Sequence, residues 1–171
     1  IVEMFTKISK MYKQTILIPW NHDCISSHHN ILDIFNSLMT VFSKPTFVDV
    51  EGARLFFLPY IREPEDFYAA VKSFESLDCL GKKYLFAHFW DTKTVSVDPD
   101  AIDLTKVNLA FFDRVFTGHF HAPTTELSEK VIYVGTLLNK RFRESGKKGC
   151  WLLDTVKNDI SFYENPLSPA F

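Results

Sequence analysis

The sequence has no long apolar run. Its most hydrophobic stretches, such as Thr15–Pro19 and Tyr84–Ala87, are short and broken by polar residues, whereas a membrane-spanning helix takes about 20 consecutive apolar residues. No membrane association is therefore expected. An excess of either charge is also absent. The chain carries 21 Asp and Glu against 19 Lys and Arg, a net charge of −2. Any grip on nucleic acid has to be local, because the molecule as a whole has no basic signature. Cysteine is scarce: Cys24, Cys79 and Cys150 are odd in number and have no CxxC or CxxxC spacing. They exclude a disulfide framework and a zinc knuckle and read as reduced thiols in a cytosolic setting. Repeats, low-complexity tracts and Gly-, Pro- or Ser-rich linkers are missing too. The 171 residues therefore read as a single domain over 1–171. The chain starts at Ile1 with no basic-then-apolar leader, and the expectation is a cytoplasmic protein (host cytoplasm if viral) whose chain begins inside a larger reading frame.

Aromatic residues are plentiful: 17 Phe, 6 Tyr and 3 Trp. A disordered chain does not carry so many, and 46% hydrophobic with 23% charged residues is a globular profile. Val2, Phe5, Ile8 and Tyr12 recur at helical spacing, which predicts a helix over 2–13. Thr15–Pro19 reads as a buried strand. Ile31, Ile34, Phe35, Leu38 and Phe42 give a second helical stripe. Thr46–Val50 and Arg54–Leu58 flank Glu51-Gly52-Ala53 as a hairpin. Pro64 opens a third helix with Phe67, Val71 and Phe74 inward, ended by Gly81. Tyr84–Ala87 and Val115–Thr117 are further buried strands. Val131–Val134, Cys150–Leu153 and Ile160–Tyr163 follow as strands with no helix between them. Helices between strands early and a meander later predict an α/β layered core, with chemistry in the loops after strand ends.

Three apolar strands run straight into histidines. They are Ile16-Leu17-Ile18-Pro19-Trp20-Asn21-His22-Asp23, Tyr84-Leu85-Phe86-Ala87-His88 and Val115-Phe116-Thr117-Gly118-His119-Phe120-His121. Imidazole is the commonest ligand for borderline divalent metals. A His-x-His pair on extended backbone places both rings on one side, and Gly118 lets the turn come close to a ligand. Each segment also has a plain reading alone: a boundary histidine, a capped turn, a polar turn. The three together point to a metal site.

Asn-His-Asp, a strand-terminal His and Gly-His-x-His, in that order, resemble the calcineurin-like metallophosphoesterases. The resemblance covers roughly residues 2–166. It implies an α/β/β/α layered sandwich holding two divalent metal ions, manganese foremost, with zinc, iron or magnesium as alternatives. By resemblance, Asn21, His88 and His119 bind one metal and His121 the other. His22 sits beside the scissile phosphate and assists the leaving group, with Asp23 next to it. Val131-Ile132-Tyr133-Val134-Gly135-Thr136-Leu137-Leu138, then Gly149-Cys150-Trp151-Leu152-Leu153-Asp154, resemble the end of the nuclease domain of SbcD-type DNA repair exonucleases. Phe162-Tyr163-Glu164-Asn165-Pro166 resembles the phage recombination versions. That implies DNA as substrate and an SMC-like ATPase subunit as partner, with a homodimer possible. The competing readings are a metallophosphoesterase of small phosphoesters or phosphoproteins, and a degenerate fold used only for binding.

Two departures from the pattern stand out. Trp20 occupies a position where the family has Gly, so an indole alters the turn or covers the site. The family's Asp-x-His and Gly-Asp-x-x-Asp motifs occur nowhere in the chain. The expectation is that the fold is N-terminally incomplete, with at most one ion bound, weakly, and negligible turnover. Asn139–Lys148 carries five bases and one acid. It is read either as a phosphate grip using Lys140, Arg141 and Arg143 or as a solvated hairpin loop. His28-His29 is either a ligand pair or a polar helix start. Trp90 either stacks a base or packs in the core.

Overall fold

The computed structural model describes residues 2–25, 29–93, 98–124, 130–140, 144 and 146–169. Helix α1 (Val2–Met11) opens the chain with Glu3 in its first turn and Lys10 in its last, each charge opposing the nearby end of the helix dipole. Strands β1 (Ile16–Leu17) and β2 (Thr40–Val41) pair in parallel. Then come β3 (Thr46–Val50), β4 (Ala53–Leu58), α2 (Pro64–Glu75), β5 (Lys82–His88), β6 (Arg114–Gly118) and β7 (Val131–Tyr133). These five strands form one sheet in chain order, antiparallel at β3–β4 and parallel from β4 to β7. Strands β8 (Gly149–Asp154) and β9 (Asp159–Glu164) make a separate antiparallel pair. The molecule is mixed α/β with a mostly parallel central sheet.

Successive residues of β5 and β7 are buried without alternation, Tyr84 and Leu85 in one and Val131, Ile132 and Tyr133 in the other. This is the pattern of strands covered on both faces. On one face α2 lays down Phe67, Val71 and Phe74 against Phe56, Leu85 and Val115, at the i, i+4, i+7 spacing of a helical stripe. On the other face Phe57, Phe86 and Phe116 occupy one register line across β4, β5 and β6. Their rings stack at 5.3 and 5.1 Å. Trp151, Leu153 and Ile160 of the β8–β9 pair cover this face, and the hydroxyl of Tyr84 donates to Asn158 Oδ1 at 2.7 Å in the turn of that pair.

The hairpin over β3 and β4, the helix from Pro64 and the five later strands lie where the pattern puts them. Three local expectations need correction. The stripe over Ile31–Phe42 is a short 3₁₀-helix, Ile31–Phe35, and not a long α-helix. Ile31 and Ile34 face solvent. The β-branched Thr40-Val41 pair instead joins β1, because β-branched residues suit an extended strand and β1 offers an open edge. The strand expected over Thr15–Pro19 keeps only Ile16–Leu17 as paired strand. Gly81 does not end α2, which stops at Glu75; it sits in the turn entering β5.

Parallel strands share one direction, so β4, β5, β6 and β7 all end at one rim. The Tyr60 N–H after β4 donates to the Pro19 carbonyl at 3.0 Å, which brings the exit of β1 to the same place. A cavity of about 440 Å³ lined by Phe5, Ile16, Leu17, Ile18, Phe86 and Phe116 opens toward His88 and Gly118 there. Among the described residues no helix is long and apolar enough to cross a membrane.

Candidate active site

His88 is the last residue of β5 and pairs in register with Gly118, the last residue of β6. The strand ends therefore set His88 beside the Gly118-His119 turn before any side-chain contact is made. A Cβ on Gly118 would lie 2.7 Å from His88 Nδ1. Glycine here makes room for a neighbouring imidazole, and this is the close approach its missing side chain allows. His88 is 4% exposed. Its Nε2 meets Asn21 Oδ1 at 3.2 Å, and its Nδ1 is buried without a protein partner. The Asn oxygen is an acceptor, so the Nε2 carries the hydrogen in this arrangement.

Asn21 and His22 project from a tight turn. The Asp23 N–H donates to the Trp20 carbonyl at 3.1 Å, and the Trp20 N–H donates to Asp23 Oδ2 at 2.9 Å. Asp23 thus closes the turn that carries Asn21 and His22, as short polar side chains commonly do. The Trp20 indole stacks on His88 with ring centroids 5.4 Å apart and planes 11° from parallel. Lys140 Nζ lies 5.2 Å from that indole. Trp20 therefore covers His88 and, through Lys140, ties the basic stretch to the site.

His119 has φ 101°, a region that non-glycine residues rarely occupy and that concentrates at functional sites. The expectation of extended backbone through His119–His121 fails for this reason, and the two rings reach different neighbours. His119 stacks on Trp90 at 4.2 Å and meets His88 edge-on at 5.7 Å. His121 Nδ1 faces Glu144 Oε1 at 2.6 Å. Trp90 is 4% exposed and packs between Tyr60 and His119, which removes it as a base-stacking platform.

Burial, followed by the proximity of His119 and His22, holds His88 neutral down to a pKa of about 4. Burial also lowers His119; nearby Asp98 opposes this, while His121 and His22 reinforce it. A charge on a neighbouring ring disfavours a proton on His88 and on His119. The result is a set of neutral ring nitrogens beside an amide oxygen, the protonation state in which imidazole binds metal. Asn21, His22, His88, His119 and His121 are thus gathered around one rim. Among the described residues, however, no three His, Cys, Asp or Glu side chains are close enough together to hold a metal ion.

The basic stretch is not uniformly solvated. Lys148 is 2% exposed and donates to the His121 carbonyl at 2.7 Å. Lys140 is exposed, and Arg141 and Arg143 lie outside the described residues, as does His28. His29 is exposed, with its carbonyl accepting from the Ile25 N–H at 2.9 Å. Two further residues at the site, Glu144 and Lys148, had no spacing signal. They reach His121 from 23 and 27 positions away through a fold-dependent contact.

No family model matches the chain. It is similar to exonuclease subunit 1 of Enterobacteria phage T4, with 27% identity over 130 residues. The match covers 73% of this chain and 36% of the phage protein, so the chain spans about a third of the length of the curated relative it matches.

Proposed function

We propose that the chain carries the histidine side of a metal-dependent phosphodiesterase site that acts on DNA, in a calcineurin-like layered sandwich. The observation that carries this reading is the meeting of Asn21, His22, His88 and His119 at the rim of a parallel sheet, with His88 and His119 held in the neutral form. Similarity to a phage exonuclease subunit favours a nuclease over a phosphatase of small esters.

The donors fit one divalent ion in kind. Asn21 Oδ1 and His88 Nε2 are 3.2 Å apart, close to the spacing of two neighbouring ligands that each lie roughly 2.0–2.2 Å from an ion; for Nε2 to be a ligand, the ring hydrogen that it gives to Asn21 here would have to move to Nδ1. Asn21, His88 and His119 would hold that ion, which would polarise a phosphoryl oxygen and lower the pKa of a bound water. They do not fit a second: His121 is drawn toward Glu144, and the family's Asp motifs are absent from the sequence. His22 is exposed at the tip of its turn, where it can reach a substrate phosphate and give a proton to the departing oxygen. Asp23 keeps that turn closed. Lys140, with Arg141 and Arg143, supplies phosphate contacts. An SMC-like ATPase subunit is the proposed partner, as befits similarity to a protein named as a subunit.

The test is manganese-dependent hydrolysis of linear duplex DNA by the gene product in which this chain occurs. His22→Ala should lower turnover on the order of 10²–10⁴-fold while leaving metal affinity nearly unchanged. His119→Ala should lose both. Equal loss of bound metal in the two variants would refute the assignment. A second reading, a binding module without turnover, is favoured by the lack of a three-ligand cluster among the described residues. Strong DNA binding with no hydrolysis at any metal concentration would establish it.

A further inference from the structure

His119 is half-buried at the rim, and its ring makes no hydrogen bond to any of the described residues. Ring contacts alone hold it: Trp90 stacked at 4.2 Å with planes 28° apart, Phe120 edge-on at 5.2 Å and His88 edge-on at 5.7 Å. Its backbone, at φ 101°, is of a kind that persists only where neighbouring structure holds it. Trp90 is the closest of the three rings and is itself anchored. Its carbonyl accepts from the Ile102 N–H at 2.8 Å. The Phe89 N–H just before it donates to Thr117 Oγ1 at 3.0 Å, and that hydroxyl donates to the Phe89 carbonyl at 3.1 Å. Against the indole lies Tyr60, within 12° of parallel at 6.0 Å. The Tyr60 hydroxyl is tied in turn to Asp100 Oδ2 at 3.2 Å.

Imidazoles at reactive sites are commonly aimed by a hydrogen bond from the second ring nitrogen. Among the described residues His119 has no such bond, and an anchored indole face stands in that role. A stacked face fixes the plane of the ring and leaves both nitrogens uncommitted. We propose that Trp90 is a positioning residue: its face holds the His119 ring edge-on to His88, so that the two imidazoles work together at the rim. The catalytic part rests on the function proposed above; the ring placement stands on the contacts alone. The plainer alternative is that Trp90, 4% exposed, only fills the core.

The experiment joins imidazole NMR of the metal-free chain with DNA hydrolysis by the gene product in which this chain occurs. In the unaltered chain the His119 ring protons should be shifted upfield by the indole face and should show a through-space contact to the His88 ring. Trp90→Met keeps an apolar side chain that adapts to a core gap but has no flat face. In it the His119–His88 contact should vanish and kcat should fall about 10–100-fold, with KM for DNA nearly unchanged. Trp90→Phe brings back a flat face and should bring back both properties. Phe89→Leu is the packing control, because Phe89 is 3% exposed and sits on Phe67. It should lower stability while leaving the His119 contact and kcat in place. An unshifted His119 ring in the unaltered chain would overturn the proposal whether or not the variants fold. A His119–His88 contact or a kcat that survives in folded Trp90→Met would overturn it too. Loss of the contact in a gene product that hydrolyses no DNA would uphold the ring placement and sink the function proposed above.

Discussion

Burial of His88 sets its chemistry. Trp20 covers one ring face, Gly118 lies against Nδ1 and Asn21 meets Nε2, so a proton on this ring would be poorly hydrated. Its pKa falls from 6.5 to about 4 as a result. The consequence for stability has a definite sign. Between those values the unfolded chain binds a proton that the folded chain refuses, so stability rises with pH across the window. The contribution is intact above 6.5, shrinks as pH falls through that value and is gone below 4, a loss of about 3 kcal/mol at most. Urea unfolding from pH 7 to 5 should show a slope that becomes clearly shallower in His88→Asn. An identical slope in the two proteins would mean that His88 is not protected from protonation. The histidines were legible as residues because each ends an apolar strand. Glu144 was not, because a lone acid in a basic stretch looks like charge balancing until the fold sets it against His121.

The Phe57–Phe86–Phe116 line shows what elements add. Each phenylalanine belongs to a different strand, and only the parallel register puts them side by side. Phe86, in the middle, stacks on both neighbours. Phe86→Ala should cost about 3–5 kcal/mol of unfolding free energy, measured by denaturant midpoint at constant slope. A cost under about 1 kcal/mol would show that the line is loosely packed. Elements with a strong local signal were readable: Pro64 at a helix start, the Gly52 turn between β3 and β4, and the apolar runs of β5 and β6. Thr40–Val41 was not, since the 3.6-residue stripe through Ile31–Phe42 continued across it. Its strand conformation depends on β1, more than 20 residues away, and periodicity within a window cannot contain that partner.

At the scale of the molecule, the account depends on topology bringing three distant histidine segments to one rim. The parallel direction of β4 through β7 does this with strand ends alone, and the Tyr60–Pro19 hydrogen bond adds the Asn21–His22 turn. The α/β class and the strand-end placement followed from the alternation of elements in the sequence. The separate directions of His119 and His121 did not, because a positive φ at a histidine carries no mark in the residue order. Paramagnetic mapping tests the central claim most directly. The chain has six histidines, whose imidazole resonances report on each ring, and Mn²⁺ broadens signals near its binding site. Substoichiometric Mn²⁺ should broaden His88 and His119 first, then His22 and His121, while His29 stays sharp. Broadening of His29 before or equally with His88 and His119 would contradict the account.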